Sequence, residues 1–298
     1  MVSNPHNRSV LYNLLLSLRP GQWTKNLFVF AALVFAQRLG DGVAVVRTVL
    51  AFAVFCALSG AVYLVNDVFD REQDRIHPLK ASRPIASGAL SPAVALTCSG
   101  MLAAVALAVA LALGLPFFEM AAAYVVLLIA YSAFLKHIVI LDVLTIAAGF
   151  TLRASAGAAA IGVPISHWLL VCTMLLALFI ALSKRRHELT LLSESATGHR
   201  PILSDYTPYL LDQMISVVTA STLIAYAFYT ISPETTQKFG TDLLSLTIPF
   251  PLYGILRYLY LVHQRDQGGS PAEVLLNDRP LLACVALWAL SVVLIIYR

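Results

Sequence analysis

About nine long apolar runs constrain this chain more than any other feature of its sequence. They cover residues 26–38, 48–65, 93–114, 117–135, 138–162, 166–183, 209–231, 243–262 and 280–297. Most approach the roughly 17–25 residues with which an α-helix crosses a bilayer, and they lack the alternation of β-barrel strands. Only 12% of the residues are charged, about half the share found in soluble domains. We therefore predict an all-α, polytopic membrane protein with a single domain over residues 1–298.

The positive charges in the loops predict how the chain lies in the membrane. With a cytoplasmic N-terminus, fourteen lysines and arginines fall on the inner side and four on the outer side. Cytoplasmic loops of membrane proteins carry such an excess. We therefore expect a multi-pass protein of the inner (plasma) membrane whose N-terminus and active site face the cytoplasm. The positive charge favours contact with anionic lipid or phosphates and indicates no nucleic-acid partner.

Three aspartates follow directly on the second apolar run. Asp67, Asp70 and Asp74 are spaced i, i+3 and i+7, which places their carboxylates on one face of an α-helix, with Asn66 flanking that face. Crowded carboxylates repel one another unless a cation lies between them, and Mg²⁺ is commonly held by one or two carboxylates together with substrate phosphates. The stretch therefore predicts a Mg²⁺ site for a phosphorylated substrate. The alternative is a solvated helix end whose acids pair with Arg71 and Arg75.

Two groups of basic residues carry the donors that phosphate oxygens bind. Lys80 and Arg83 follow the acidic stretch, and Lys184 and Arg185 end the sixth run, with Glu188 one helical turn after Lys184. Clusters of lysine and arginine bind phosphates through charge-assisted hydrogen bonds. The positive-inside bias alone also explains such clusters, so that alternative stays open. Metal ligands and basic residues together fit a pyrophosphate.

Charged residues also lie inside the apolar runs. Asp142 and Arg153 stand eleven residues apart in the fifth run, and Arg257 lies in the eighth. Charges at such depth are costly and usually face a polar cavity or a partner. Asp142 and Arg153 are too far apart along one helix to pair directly, so we expect each to have a partner on another helix or in a ligand. A structural ion pair is the alternative.

The start of the first run is rich in hydrogen-bond donors. Arg19, Gln22, Lys25 and Asn26 lie within eight residues, together with Trp23. Tryptophan and lysine are ordinary anchors at the membrane interface. The density of donors makes a role in binding a headgroup or a phosphate an equal alternative, and both interpretations stay open.

The motif that begins at Asn66, after the second of nine spans, resembles the UbiA superfamily of intramembrane prenyltransferases. Its form is Asn-Asp-x-x-Asp-x-x-x-Asp, and the resemblance extends to Tyr131 through Lys136 and to Asp142 through Arg153. It implies a nine-helix bundle with a cavity open to the cytoplasm. The second Asp-rich motif of aromatic prenyltransferases is replaced here by Lys-Arg-Arg-His-Glu. The chain more closely resembles the decaprenyl-phosphate phosphoribosyltransferase branch, in residues 19–26, 66–74, 77–84, 184–188 and 249–258.

This resemblance implies phosphoribosyl transfer from 5-phosphoribose 1-diphosphate to a polyprenyl phosphate lying in the membrane lipid. The products would be polyprenylphosphoryl-5-phosphoribose and pyrophosphate, for the synthesis of cell-wall arabinose donors. Asp67, Asp70 and Asp74 are the expected catalytic residues and Mg²⁺ ligands. The expected substrate ligands are Arg19, Gln22, Lys25, Asn26, Asn66, Lys80, Arg83, Tyr131, Lys136, Asp142, Arg153, Lys184, Arg185 and Glu188.

Two other functions stay open at this point. A UbiA-type prenyltransferase would move an isoprenoid from its diphosphate to an aromatic acceptor, and the basic residues 184–188 argue against it. A transporter would line a pathway with Asp142 and Arg153, but the other charges cluster on one side of the membrane. Lipid length and a homo-oligomeric state are left undetermined by the sequence.

Overall fold

The computed structural model describes residues 9–76, 80–193, 202, 205–264, 274–275 and 277–298 of the 298-residue chain. In this part of the chain every regular element is a helix. Seven helices are long and apolar enough to cross a bilayer, and a bent pair adds an eighth if it counts as one span. The prediction of an all-α, multi-pass integral membrane protein is confirmed. His77, Pro78, Arg200 and Arg265, which entered the motif and charge arguments, lie outside the described residues.

The helices follow one another closely along the chain. The α-helices are α1 (Val10–Ser17), α2 (Ala31–Phe35), α3 (Gly42–Phe69), α4 (Arg71–Ile76), α5 (Pro92–Leu113), α6 (Leu115–Ala133), α7 (Leu141–Ile161), α8 (His167–Ser193), α9 (Pro208–Ile231), α10 (Pro233–Phe239), α11 (Pro249–Gln264) and α12 (Arg279–Ile296). Short 3-10 helices cover Pro20–Phe30, Leu135–His137 and Leu243–Thr247. The bent pair joins α10 to Leu243–Gln264 at an angle of 105°.

The first predicted span, residues 26–38, differs from an ordinary membrane helix. The chain forms the 3-10 helix Pro20–Phe30 and then the five-residue α2, so this segment is not one of the seven long helices. A 3-10 helix has three residues per turn, and residues three apart therefore lie on one face. Asn26, Val29 and Ala32 follow this spacing and are all buried. The described residues thus give seven or eight spans where nine were predicted.

The chain divides into two compact units, and each contains its own core. The first unit consists of Met1–Leu33, Arg38–Ala133 and Leu152–Val163. Its core is centred on Phe55 of α3, whose ring packs against Phe117 and Tyr124 of α6 with centroid distances of 6.1 and 5.0 Å. Because these three side chains are at most 1% exposed, they fix α3 against α6. The single catalytic domain over residues 1–298 stays a prediction.

Gly157 lets two segments of the first unit approach each other closely. A Cβ atom at this position would lie 2.0 Å from the carbonyl oxygen of Val29, far inside van der Waals contact. Small residues at helix interfaces allow membrane helices to approach in this way. The C-terminal part of α7 therefore packs directly on the backbone of the 3-10 helix.

Gly157→Ala should accordingly destabilise the protein by about 1–3 kcal/mol, the usual cost of forcing an extra methyl group into a packed site. The measurement is the apparent melting temperature in detergent. Gly100→Ala is the matched control, because Gly100 is exposed in α5 and nothing lies within 4 Å of its added Cβ. Alanine is the better helix former, so the control should melt at the same temperature or higher. An unchanged melting temperature for Gly157→Ala would contradict the close contact.

The second unit consists of Val34–Gln37, Phe134–Thr151 and Pro164–Arg298. Phe179 of α8 packs edge to face on Tyr258 of α11, with ring centroids 5.4 Å apart. The buried hydroxyl of Tyr226 in α9 accepts a hydrogen bond from Nε1 of Trp288 at 2.8 Å and shares another with Thr247 at 2.6 Å. These contacts join α9 to α12 and to the 3-10 helix Leu243–Thr247.

Candidate functional site

An acidic cluster lies in the first unit, where α3 meets α4. The carboxylates of Asp67 and Asp74 both accept from Nη1 of Arg83, at 3.2 and 2.5 Å. Arg19 also donates to Asp67, and Nζ of Lys80 lies 3.9 Å from Asp74. Both aspartates are 3% exposed, whereas the three basic side chains are 29–42% exposed. The basic side chains therefore form the more accessible layer of the acidic cluster.

A break in the helix shapes this cluster. α3 ends one residue before Asp70, which caps it with φ −85° and ψ 3°, and α4 follows directly. The backbone N–H of Asp70 still donates to the carbonyl of Asn66, and that of Asp74 to the carbonyl of Asp70, both at 2.8 Å. Hydrogen bonding thus continues across the break and keeps Asp67 and Asp74 on the same side.

The three predicted metal ligands are not gathered into one set. Among the described residues, no three His, Cys, Asp or Glu side chains stand close enough together to hold a metal ion. The structure brings Asp67 and Asp74 together, while Asp70 and Asn66 are half-buried. Asp70 is the C-cap of α3, between the two helices that carry the paired carboxylates. The role of all three aspartates as metal ligands stays a prediction.

The alternative of a solvated helix end does not describe this segment. Arg71 and Arg75 both pair with Glu72, at 3.4 and 3.1 Å. The two clustered aspartates are buried instead of solvated. Burying two carboxylates is costly unless their charges are paired, and here two guanidinium groups provide that pairing.

Arg19 is held beside the acidic cluster in an unusual backbone conformation. Its φ of 54° and ψ of 62° are left-handed, a region that non-glycine residues rarely adopt. The guanidinium lies 4.6 Å from the centre of the Tyr63 ring and also binds Asp67. Strained backbone of this kind persists only where surrounding contacts fix it. The cation–π contact and the ion pair are the contacts that fix Arg19.

The other donors of the first run separate into two faces of the 3-10 helix. Gln22 and Lys25 are three residues apart and share a face, on which Gln22 is half-buried and Lys25 exposed. Asn26 lies on another face, is 1% exposed, and donates from Nδ2 to Sγ of Cys56 at 3.2 Å. Lys25 is therefore accessible to a ligand, whereas Asn26 belongs to the interior.

Arg153 contributes to a buried polar cluster in the first unit. Its Nε donates to Oδ1 of Asn26 at 2.8 Å, and its Nη2 donates to the hydroxyl of Tyr124. The guanidinium also lies 4.6 Å from the centre of the Tyr124 ring, and Arg153 is only 6% exposed. The expectation that Arg153 has its partners on other segments is confirmed.

The second unit contains a network of charges around a buried ion pair. Nε of Arg185 donates to Asp142 at 2.9 Å, and its Nη1 donates to Glu188 at 2.5 Å. Nζ of Lys184 lies 3.8 Å from the other oxygen of Glu188. The side chains of Asp142 and Arg185 are 0% and 3% exposed, against 44% for Lys184. Arg185 is thus an internal cation between two carboxylates, and Lys184 is the accessible end of this Asp142–Lys184 network.

The same network includes Tyr206, which no sequence motif singles out. Its hydroxyl donates to Oδ1 of Asp142 and accepts from the N–H of Ile140, both at 2.8 Å. Burial is the largest cause that raises the pKa of Tyr206 to about 12, and the hydroxyl therefore keeps its proton near neutral pH. The available signal was a tyrosine just before the Thr207-Pro208 helix start, which alone indicates an interfacial anchor.

Tyr131 and Lys136 lie at and just beyond the C-terminal end of α6. Tyr131 is in the helix and Lys136 is in the 3-10 helix Leu135–His137, and both side chains are half-buried. Their role as substrate ligands stays a prediction.

Comparison with known proteins adds an independent line of observation. The model of the UbiA prenyltransferase family matches residues 26–276. The decaprenyl-phosphate phosphoribosyltransferase of Corynebacterium glutamicum is 35% identical over 298 residues, which cover 94% of this chain and 86% of the relative. Nodulation protein NoeC of Azorhizobium caulinodans is 28% identical over 283 residues, which cover 94% and 92%. A solved UbiA homologue from Archaeoglobus fulgidus, bound to GPP and Mg²⁺, has a similar fold, with a TM-score of 0.73, 20% identity and coverage of 96% and 100%.

Proposed function

Because the chain belongs to the UbiA prenyltransferase family, we propose that this membrane transferase moves a phosphoribosyl group from 5-phosphoribose 1-diphosphate to a polyprenyl phosphate. The products are polyprenylphosphoryl-5-phosphoribose and pyrophosphate. A relative that is 35% identical over nearly the whole chain carries the name decaprenyl-phosphate phosphoribosyltransferase, which supports this donor and this acceptor.

The observation that carries the choice of a sugar donor is the charge arrangement at residues 184–188. A second acidic motif here would bind another divalent cation for a prenyl diphosphate. The chain instead has Arg185 fixed between Asp142 and Glu188, with Lys184 accessible beside them. An accessible lysine suits a phosphate group, because ammonium binds phosphate as a point charge.

The acidic cluster fits Mg²⁺ by the chemistry of its oxygen donors. Asp67 and Asp74 already share one cationic nitrogen of Arg83, and Mg²⁺ is commonly held by one or two carboxylates with substrate phosphates and waters. We propose Asp67 and Asp74 as its ligands, with Asp70 as a further candidate at the helix break. Bound there, Mg²⁺ would neutralise the charge that develops on the departing pyrophosphate.

The residues of the chain contribute binding and orientation. Arg83 and Lys80 form the accessible layer over the two carboxylates and are placed to bind the donor diphosphate. An oxygen of the acceptor phosphate attacks the anomeric carbon, the bond from that carbon to the diphosphate breaks, and pyrophosphate takes the electron pair. The acceptor phosphate is already anionic near neutral pH, so the step needs no protein nucleophile or base. Arg19 and Lys25 are candidates for binding the acceptor phosphate or the 5-phosphate.

The proposed reaction also has a location and a use. The loop charges support a plasma-membrane protein whose N-terminus and acidic cluster face the cytoplasm, where a soluble sugar diphosphate is available. The lipid-linked phosphoribose would then supply arabinose donors for cell-wall polymers.

One assay tests the proposal. Purified protein in detergent receives Mg²⁺, 5-phosphoribose 1-diphosphate and decaprenyl phosphate, and both pyrophosphate and phosphoribosylated lipid are measured. We expect the two products in equal amounts. A parallel reaction receives geranyl diphosphate and 4-hydroxybenzoate. Prenylation of the aromatic acid without phosphoribosylated lipid would show that the chain is an aromatic prenyltransferase instead.

A further inference from the structure

The hydroxyl of Tyr206 connects a strained backbone position to the buried acid of the Asp142–Lys184 network. The hydroxyl accepts a hydrogen bond from the N–H of Ile140 and donates one to Asp142, each at 2.8 Å. It therefore acts as acceptor and donor at the same time. Tyr206 is 3% exposed and Asp142 is fully buried. A buried N–H or carboxylate that loses its partner is costly, so neither bond is readily replaced by water.

The backbone at Ile140 is the second, independent observation. Its φ is 69°, in the left-handed region, which for a β-branched residue is a true outlier. Such strain is maintained only where surrounding contacts determine it, and it concentrates at functional sites. The hydrogen bond from the Ile140 N–H to Tyr206 is a contact that maintains it, and the strained residue stands two positions before Asp142 at the start of α7.

From Asp142 the contacts lead to an accessible charge. Asp142 accepts from Arg185, Arg185 donates to Glu188, and Glu188 lies 3.8 Å from the ammonium group of Lys184. The first members of this series are buried, and Lys184 is almost half exposed. A continuous series of contacts therefore connects the hydroxyl of Tyr206 to the ammonium group of Lys184, with three of its members on α8.

We propose that Tyr206 is a positioning residue that acts through Asp142, Arg185 and Glu188 to place Lys184 for binding a phosphate of the substrate. This inference rests on the proposed function, in which Lys184 binds a phosphorylated donor. In this proposal Tyr206 does not contact the substrate itself. Removing the hydroxyl should weaken phosphate binding and leave the chemical step nearly unchanged.

The test uses Tyr206→Phe, with Tyr226→Phe as the matched control. Both variants remove one buried tyrosine hydroxyl with two hydrogen-bond partners in the second unit, so their losses of stability should be similar. The readouts are the Kd for inorganic pyrophosphate with Mg²⁺ by calorimetry, and the KM for 5-phosphoribose 1-diphosphate together with kcat. For Tyr206→Phe we expect Kd and KM to rise about tenfold, the effect of one lost hydrogen bond, with kcat within about threefold. Tyr226→Phe should leave all three unchanged.

Lys184→Met supplies the second arm, because its exposed side chain can be removed without disturbing the buried pair. This variant should itself raise the Kd about tenfold, and adding Tyr206→Phe should then raise it less than about twofold further. Equal effects of the two tyrosine variants, or additive effects in the double variant, would overturn the proposal.

The two proposals can fail separately. If wild-type protein binds pyrophosphate but forms no phosphoribosylated lipid, the proposed function is wrong, while the Kd values still decide the role of Tyr206. If the lipid product forms and Tyr206→Phe leaves both Kd and KM unchanged, only the positioning role is wrong.

Discussion

Asp67→Asn should abolish phosphoribosyl transfer, with a loss in kcat/KM of about a thousandfold or more, while the protein stays folded. The substitution keeps the size of a buried side chain and removes its charge from the acidic cluster. Charge stabilisation by a bound divalent ion amounts to several kcal/mol, and each 1.4 kcal/mol corresponds to a factor of ten in rate. The lipid-product assay measures the loss, and the melting temperature in detergent shows whether the protein is folded.

Asp41→Asn is the control on the same helix. Asp41 caps the N-terminal end of α3 by accepting from the N–H groups of Val43 and Ala44, and asparagine caps helices about equally well. This variant should retain normal activity. Substantial turnover by Asp67→Asn at ordinary Mg²⁺ concentration would refute its assignment as a metal ligand.

Asp70→Asn distinguishes a two-carboxylate site from a three-carboxylate site. If Asp67 and Asp74 hold the metal, the loss for Asp70→Asn should be at least tenfold smaller than that for Asp67→Asn. Equal losses would mean that Asp70 joins the site when Mg²⁺ and the donor bind.

Asp142→Asn should produce the largest loss of stability, about 3 kcal/mol. It leaves the fully buried guanidinium of Arg185 with one carboxylate instead of two, and breaking a buried pair from one side costs about 3–5 kcal/mol. For a chain of this size the expected fall in melting temperature is about 5–10 °C. The double variant Asp142→Asn/Arg185→Met should melt higher than Asp142→Asn, because it removes the buried guanidinium that has lost one of its two carboxylate partners.

Asp278→Asn is the matched control for this pair. Asp278 binds Arg257 at 2.8 Å in a more exposed ion pair and caps α12, and asparagine preserves the cap. Its loss should stay below about 1 kcal/mol. A fall in melting temperature as large as that of Asp142→Asn would mean that burial does not determine the difference.

The spacing of residues along the sequence was sufficient to locate the acidic cluster. It was also sufficient to predict that Asp142 and Arg153 each need a partner of their own. Both follow from local geometry, because two charges eleven residues apart along one helix are too far apart to pair with each other. The sequence spacing did not identify which residues these partners are. Asp142 meets Arg185 from 43 residues away and Tyr206 from 64 residues away, and only the packed fold brings them together.

Two backbone features also could not be predicted, for a physical reason. These features are the helix break at Asp70 and the left-handed backbone of Arg19 and Ile140. None of the three positions is a glycine, the residue by which such conformations are normally recognised. Tertiary contacts determine them instead: the ion pair with Asp67 at Arg19, and the tyrosine hydroxyl at Ile140.

The 3-10 helix Pro20–Phe30 changes how far its part of the chain can reach. Such a helix advances about 2.0 Å per residue, against about 1.5 Å in an α-helix. Its 11 residues and the 5 residues of α2 therefore add up to about 30 Å of helix, the thickness of the hydrocarbon layer. A segment too short for a hydropathy window can thus be about as long as the hydrocarbon layer is thick.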